Sequence, residues 1–203
     1  MTGNIDVTIY TVGHSNHSTE KFVSLLTANG VTAVADVRST PFSRRNPQFN
    51  RDALAAALKK HEISYVSVGK ELGARSEDLS CYENGRVRYD RLAGTSLFKA
   101  GIERILSGSE KYCVALMCAE KEPLNCHRTL LVSRALEAKG AAIMHILSDG
   151  SVEPQHKTMS RLVVMMGLPR EDMFKNRDAL INEACALRES KIAYVDEELI
   201  ERA

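Results

Sequence analysis

The chain has 203 residues, of which 44% are hydrophobic and 26% are charged, and this composition excludes a disordered chain. Its 27 basic and 26 acidic side chains leave a net charge of +1, so overall charge indicates no particular partner. No apolar run approaches the roughly 20 residues that a membrane helix needs. The N-terminal sequence lacks a basic leader and an apolar signal core, and the five cysteines are an odd number, so we expect reduced thiols in a cytoplasmic protein with no membrane partner.

The first elements in the chain predict a parallel βαβ unit. Residues 7–12 form a β-branched, apolar run that ends at Gly13-His14-Ser15, as a buried strand does. A helix with apolar residues at helical spacing follows Ser18 and closes at Asn29-Gly30. A second strand, residues 31–37, ends at Asp36-Val37-Arg38.

The middle of the chain alternates long polar loops with further elements. Residues 39–51 form a basic loop, followed by a helix over 52–61 and a strand over 63–68. Residues 74–95 are again irregular and rich in arginine, and residues 96–107 are expected to be helical. Residues 112–118 give the strongest signal for a central strand.

A loop then leads to a helix that is expected to begin near Cys126-His127-Arg128, and 141–147 form one more strand. The last roughly 50 residues are predicted to be helical, without a convincing strand, and suited to covering a sheet face or forming an oligomer contact. Residues 1–203 are therefore expected to form a single three-layer α/β domain with a mainly parallel, Rossmann-like sheet. Within it, 1–150 form the α/β core and 151–203 a helical C-terminal extension.

Reactive and charged residues recur where the predicted strands end. Because ligands of open parallel sheets bind beyond the carboxyl ends of the strands, we expect these residues to converge on one site. Polar loops alone would explain a serine or an aspartate there, but they explain less well a histidine, an Asp-x-Arg and a Cys-x-Glu at the same level. The strand-end residues are His14, Ser15, Asp36, Arg38, Lys70, Glu71, Cys118, Glu120, Ser148 and Asp149.

The segment from Cys118 to Arg128 is the sharpest local feature. If Cys126 lies in the first turn of a helix, unpaired N–H groups and the helix dipole favour an anion there and lower the pKa of the thiol. We therefore expect Cys126 to be the more reactive thiol and Cys113, inside a strand, the least. The spacing differs from the phosphatase cradle, in which an arginine follows the cysteine after five residues.

Two other uses of these segments stay open. Cys118, Cys126, His127 and His14 offer thiolate and imidazole ligands for zinc, although Cys-x7-Cys-His is not a compact zinc pattern. The basic loops interleave arginines with aromatic side chains, which suits a phosphate backbone with stacked bases. Their arginines are Arg44, Arg45, Arg51, Arg75, Arg86, Arg88 and Arg91, and their aromatic residues are Phe42, Phe49, Tyr82 and Tyr89.

Four segments in a fixed order resemble the domain-of-unknown-function family 488 (DUF488): TVGHSN, ADVRSTPFSR, VGKELGAR and CAEKEPLNCHR. The resemblance runs from Tyr10 to about Gly150, and the sequence departs from it at Ala74, where a second glycine is common. It implies a single domain and the same site, but it supplies no reaction. The family's residues fall on Gly13, His14, Ser15, Asp36, Arg38, Pro41, Ser43, Gly73, Cys118, Glu120, Cys126, His127 and Arg128.

These observations favour an enzyme, a hydrolase or a transferase, that acts on a phosphate-bearing substrate such as a nucleotide or nucleic acid. Two alternatives are a non-catalytic nucleic-acid or nucleotide-binding module and a metal-dependent protein that uses the Cys/His set. The cofactor is left open. The candidate catalytic residues are Cys126, His14, Asp36, Glu120 and Cys118. The candidate substrate-binding residues are Arg38, Arg128, His127, Ser15, Ser43, Lys70, Arg44 and Arg45.

Overall fold

The computed structural model describes residues 7–201 and contains a six-stranded sheet. Its strands are β1 (Thr8–Gly13), β2 (Ala33–Asp36), β3 (Ser64–Ser67), β6 (Val114–Cys118), β7 (Ala142–Ile146) and β8 (Val152–Pro154); a separate hairpin contains β4 (Tyr82–Glu83) and β5 (Arg86–Val87). The order in the sheet is β3-β2-β6-β1-β7-β8, in which five strands are parallel and β8 pairs with β7 in the antiparallel direction.

Helices connect these strands. They are α1 (Thr19–Thr27), α2 (Arg51–Lys59), α3 (Gly69–Leu72), α4 (Tyr89–Gly94), α5 (Ser96–Ser109), α6 (Arg134–Glu137), α7 (Gln155–Met165), α8 (Arg177–Ile192) and α9 (Glu197–Glu201). A π-helical segment, Arg128–Ser133, leads into α6, and short 3-10 turns lie at Pro47–Phe49, Leu79–Cys81 and Pro123–Asn125. No helix within residues 7–201 is long and apolar enough to cross a bilayer.

The mainly parallel α/β fold expected from the sequence is confirmed, and its five parallel strands overlap the predicted segments. Two expectations are wrong, one about the helical C-terminal part and one about the irregular segment 74–95. The C-terminal part contains strand β8, whose three residues end in a proline at the sheet edge, where a missing N–H costs no sheet hydrogen bond. Residues 74–95 form the β4–β5 hairpin and helix α4 instead of a continuous loop.

Two apolar clusters, one on each face of the sheet, make the core. Alternate residues of β2 serve both: Val34 packs in the cluster that contains Phe22 of α1, and Ala33 and Ala35 pack in the other. The second cluster also holds apolar side chains of α5, α7 and α8, so the C-terminal helices cover a face of the sheet. The domain therefore has three layers, with the sheet between two layers of helices. The neighbouring strands β2, β6 and β1 end side by side at the same edge of the sheet.

Gly13 ends β1 at a point where the chain approaches the loop after β6 very closely. A Cβ atom added to Gly13 would lie 1.9 Å from the Glu120 carbonyl oxygen. This close approach explains why a strand that opens the site ends in glycine.

Replacing Gly13 by alanine is therefore expected to lower the free energy of unfolding by about 1–3 kcal/mol, since either the strand or the loop must move. Gly108→Ala in α5 is the matched control, because its added Cβ meets no atom within 4 Å. That variant is expected to be neutral or more stable by up to about 1 kcal/mol. Urea unfolding measures both, and a Gly13→Ala variant as stable as the Gly108→Ala variant would contradict the close approach.

Candidate functional site

The site is built where β2, β6 and β1 end side by side. Gly13 lies opposite Cys118 in the pairing of β1 with β6. The pairing continues past the strand ends, because the N–H of His14 donates to the Cys118 carbonyl at 2.9 Å and that of Val37 to the Met117 carbonyl at 3.0 Å. Residues that are far apart in sequence are thus held within one hydrogen-bonded framework.

A buried ion pair lies under the site. The Asp36 carboxylate accepts hydrogen bonds from Arg38 Nε at 2.9 Å and Nη2 at 2.6 Å, and also from the Tyr65 hydroxyl at 2.7 Å. The Arg38 Nη2 donates in addition to the Phe49 carbonyl at 2.8 Å. Asp36 is completely buried and Arg38 is 6% exposed, so the charge of each is compensated by the other within the protein.

His14 completes this network as a neutral ring. Its Nδ1 donates to the Ser15 carbonyl at 2.8 Å, and its Nε2 accepts from Arg38 Nη1 at 3.1 Å. Burial lowers the pKa of His14 to about 4, with a further contribution from the nearby Arg38 charge. The ring also stacks on Phe49, with 4.3 Å between the ring centroids. His14 is therefore held in place with both nitrogens already engaged.

A second cluster contains two thiols and an imidazole. The His127 Nδ1 lies 3.9 Å from the Cys118 sulfur and 3.8 Å from the Cys126 sulfur. The Sγ atoms and one ring nitrogen of these three buried residues lie within 4.8 Å of one another. These are the residues that are placed to hold a metal ion. His14, the fourth ligand considered from the sequence, is not in this group.

Cys126 precedes the helix instead of lying in its first turn, which corrects the expectation from the sequence. Its backbone is extended, with φ −138° and ψ 139°, and its carbonyl accepts the first hydrogen bonds, from the N–H groups of Thr129 and Leu130. Its sulfur accepts from the Arg128 N–H at 3.4 Å. Because His127, just before the π-helical segment, already has helical φ and ψ angles of −59° and −27°, Cys126 is the N-cap of the helix. Its thiol receives one of the N–H groups that a helix start leaves unpaired.

The surroundings of the thiols lower the pKa of Cys126 and raise the pKa values of Cys118 and Cys113. Burial opposes ionisation of Cys126, but the Cys118 thiol, the Arg128 charge and the Arg128 N–H lower the pKa of Cys126 to about 7. The neighbouring Cys126, and then burial, raise the pKa of Cys118. Cys113 lies just before β6 instead of inside it, and burial raises its pKa.

Arg128 supports the loop between β6 and the helix. The side chain is fully buried, and Nη1 donates to the Glu120 carbonyl at 2.6 Å while Nη2 lies 3.5 Å from that of Lys121. Its guanidinium therefore points at backbone carbonyls. The sequence predicts a phosphate ligand at this position, whereas in the structure the side chain lies behind the loop.

Two clefts open above these residues and share a wall. The first, which we call the thiol cleft, has a volume of about 290 Å³ and is lined by the two thiols and His127 together with Arg75, Tyr89 and Tyr194. The second, which we call the basic cleft, has a volume of about 550 Å³ and is lined by residues that include His14, Ser15, Phe42, Ser43, Arg45 and Lys121. Arg38, Thr40, Ala119 and Glu120 line both clefts.

The structure brings together most, but not all, of the residues predicted from the strand ends. Asp36 lies beneath the clefts, where it holds Arg38. Lys70 lines a different cleft, beside Ser67 and Gly73. Arg44 is exposed and lines neither the thiol cleft nor the basic cleft.

Sequence reasoning missed several buried or charged residues, at the site and within the sheet. Tyr65, which anchors Asp36, lies in a strand in which a tyrosine is ordinary. Lys121 lies in a polar loop, where a lysine carries no signal of its own. His145 lies inside an apolar strand, and a histidine in such a strand is a signal that the sequence offered. Its ring contacts Thr11 Oγ1 at 2.7 Å and Gln155 Oε1 at 2.6 Å. Burial lowers the pKa of His145 to about 4.

Comparison with known proteins bears on the family of the chain. No curated protein and no solved structure matches it. The model of one family, described as domain of unknown function DUF488, matches residues 18–135, more than half of the 203 residues. The matched segment includes the Asp36–Arg38 pair and the whole Cys118–Arg128 segment, and His14 and Ser15 precede it. The chain therefore belongs to the DUF488 family.

Proposed function

We propose that the protein is an enzyme that acts on a phosphate-bearing substrate, a nucleotide or a nucleic acid, at the thiol cleft and the basic cleft. The observation that carries the proposal is that a thiol–imidazole cluster lines one cleft, and exposed cations line that cleft and the one that shares its wall. Reactive groups beside phosphate-binding charges are the arrangement that phosphate-ester hydrolases and transferases need.

The cations that support an anionic substrate are Arg75 in the thiol cleft and Arg45 and Lys121 in the basic cleft. Within residues 7–201 none of the three forms an ion pair, so no carboxylate compensates their charges, and the Arg75 guanidinium lies 4.4 Å from the centre of the Tyr194 ring. Phe42 lines the basic cleft with 62% of its surface exposed, and an aromatic face beside cations suits a stacked base next to a phosphate.

The chemical roles divide between the clefts. In the thiol cleft, the reaction centre consists of Cys126, Cys118 and His127. Glu120 lines the wall shared by the two clefts, where its carboxylate can exchange a proton with the substrate. Arg38 contributes positive charge to the shared wall, although Asp36 compensates much of it. Asp36 and His14 position Arg38 and do not react themselves, since their hydrogen bonds are made within the protein.

The double variant Arg45→Ala with Lys121→Ala is expected to weaken binding of a short labelled single strand. The logarithm of the affinity falls linearly with the logarithm of the salt concentration, and the magnitude of this slope decreases by about 1 for each phosphate that the protein no longer neutralises. Removal of two cations should therefore decrease the magnitude of the slope by about 2. Fluorescence anisotropy at several salt concentrations measures this. Lys111→Ala is the matched control, because Lys111 precedes β6 and so lies at the opposite end of that strand from the clefts.

Salt-independent binding, or no binding of single strands and mononucleotides by the intact protein, would exclude the phosphate-bearing substrate. Equal losses of affinity in the control and in the double variant would show that the cleft cations have no special role.

A non-catalytic binding module is the second candidate. The observation that favours it is that both ring nitrogens of His14 and the Arg38 guanidinium are engaged by hydrogen bonds within the protein, so the histidine beside the basic cleft is not free to act as a base. Product analysis after incubation with labelled oligonucleotides and mononucleotides separates the two functions. Product formed by the intact protein and lost in Cys126→Ser supports the enzyme, whereas tight binding with no product supports the binding module.

A further inference from the structure

We infer that Cys118, Cys126 and His127 bind one Zn²⁺ ion through their two sulfurs and the Nδ1 atom. This inference names a cofactor for the site of the proposed function, but it does not depend on the nature of the substrate. In a tetrahedral zinc site the metal lies about 2.3 Å from sulfur and about 2.0 Å from nitrogen, so neighbouring S and N ligands are about 3.6 Å apart. The observed separations of Nδ1 from the two sulfurs are 3.9 and 3.8 Å, so each needs to shorten by only a few tenths of an ångström, and all three ligand atoms lie within 4.8 Å of one another.

The tautomer of His127 is already the one that a metal ligand requires. Its Nε2 lies 3.1 Å from the Val37 carbonyl, and a carbonyl can only accept, so Nε2 carries the proton. The lone pair of Nδ1 therefore faces the two sulfurs. Histidines that ligate metals usually donate their other N–H to a backbone carbonyl or a carboxylate, which fixes the orientation of the ring.

The Cys126 sulfur has a supporting interaction of the same kind. The Arg128 N–H donates to it at 3.4 Å, and the Arg128 side chain is fully buried nearby. An N–H donor and a positive charge both stabilise a thiolate, the form of cysteine that binds a metal.

The number and burial of the thiols favour a ligand role over a nucleophile. A cysteine nucleophile needs one thiol and one base, whereas here two thiols converge on one imidazole. The two cysteines are 6% and 2% exposed, and buried thiolates are costly unless a positive charge compensates them. Two thiolates and an imidazole are a soft donor set, which selects zinc over magnesium or calcium.

The position of the cluster indicates a catalytic ion and not a structural one. Structural zinc sites are closed by four protein ligands, and catalytic sites have three and keep one position open. All three ligands here line the thiol cleft, so the fourth position faces the space that holds the substrate in the proposed function. When bound, the ion supplies a Lewis acid to that cleft.

Metal analysis of the full-length protein, purified without a histidine tag, tests the inference. One Zn²⁺ per chain is expected to remain after dialysis against metal-free buffer. Cys118→Ser, Cys126→Ser and His127→Gln should each lose most of it, while Cys113→Ser, the matched control for removal of a thiol, should keep it. Circular dichroism shows which variants are folded.

Cobalt substitution of the unmodified protein gives a readout that needs no variant. Co²⁺ bound at this site is expected to show a thiolate-to-metal charge-transfer band and the strong visible bands of tetrahedral coordination. Binding of Co²⁺ without the charge-transfer band, or substoichiometric zinc after incubation with Zn²⁺ and dialysis, overturns the inference. Equal loss of zinc in Cys113→Ser and in Cys126→Ser does so as well.

The metal content is independent of the substrate. Stoichiometric zinc together with an absence of phosphate binding removes the proposed function and leaves the metal site. Phosphate binding by a protein that holds no zinc removes the metal site and leaves the proposed substrate class.

Discussion

Replacing Asp36 by asparagine is expected to lower the free energy of unfolding by about 3–5 kcal/mol, because it leaves the Arg38 guanidinium buried without its counter-ion. The carboxylate accepts bonds from Arg38 Nε and Nη2 and from the Tyr65 hydroxyl, and Asp36 is not exposed at all. A decrease of this size corresponds to a fall in Tm of about 10 °C for a chain of this length. Urea unfolding with linear extrapolation measures the change.

The control is an ion pair on the surface with a similar N–O distance. Lys139 and Glu103 lie 2.9 Å apart, with side chains that are 56% and 59% exposed, so Glu103→Gln should cost about 0–1 kcal/mol. A similar small cost for Asp36→Asn would contradict the role given to the pair.

A compensating variant separates the loss of the interaction from the cost of an unpaired charge. Asp36→Leu combined with Arg38→Met removes both charges and keeps apolar volume, so it should be more stable than Asp36→Asn. Because Arg38 lines both clefts, the double variant should nevertheless lose affinity for anions. Stability recovered together with wild-type affinity would show that the Arg38 charge has no part in binding.

The sheet could be predicted from the sequence because its parallel strands lie in runs of mainly apolar and β-branched residues. β6 is buried at every position, and such a run stands out from the polar loops on either side. β8 could not be predicted in this way, since three half-buried residues that end in Pro154 carry no periodic signal. Their pairing depends on β7, which lies beside them only in the folded protein.

The candidate site could be predicted only in part, for a similar reason. That His14, Arg38 and Cys118 end neighbouring strands follows from the parallel topology. The directions of their side chains do not, since they depend on partners far away in the sequence. His127 donates to Val37, 90 residues earlier, and this hydrogen bond turns Nδ1 towards the thiols. No local pattern encodes it.

The position of Cys126 shows how a small error in a helix boundary changes a chemical interpretation. In the first turn its own N–H would face an anion; as the N-cap it presents its sulfur to the N–H of Arg128. A shift of one residue in the helix start therefore decides whether its unpaired N–H groups receive a ligand or a side chain of the protein itself.

Arg128→Ala is expected to lower the free energy of unfolding by about 3–5 kcal/mol, because it creates a cavity at a fully buried side chain and removes the donor to two loop carbonyls. The guanidinium supplies the bonds to the Glu120 and Lys121 carbonyls that hold the loop after β6. Hydrogen exchange should therefore increase most in residues 119–125. Arg134→Ala, six residues further along the chain, removes an exposed hydrogen bond to Asn182 and should cost less than about 1 kcal/mol.

The same variant decides between two roles for Arg128. As a ligand for phosphate, the role expected from the sequence, Arg128 could be removed with little loss of stability while binding of sulfate or a mononucleotide disappeared. As the support of the loop, it cannot be removed without loosening the wall that Glu120 gives to both clefts. A stable Arg128→Ala variant with unchanged exchange in the loop and no anion binding would restore the ligand role. An unstable variant with a loosened loop would establish that the arginine is buried in order to hold the loop beside the thiols.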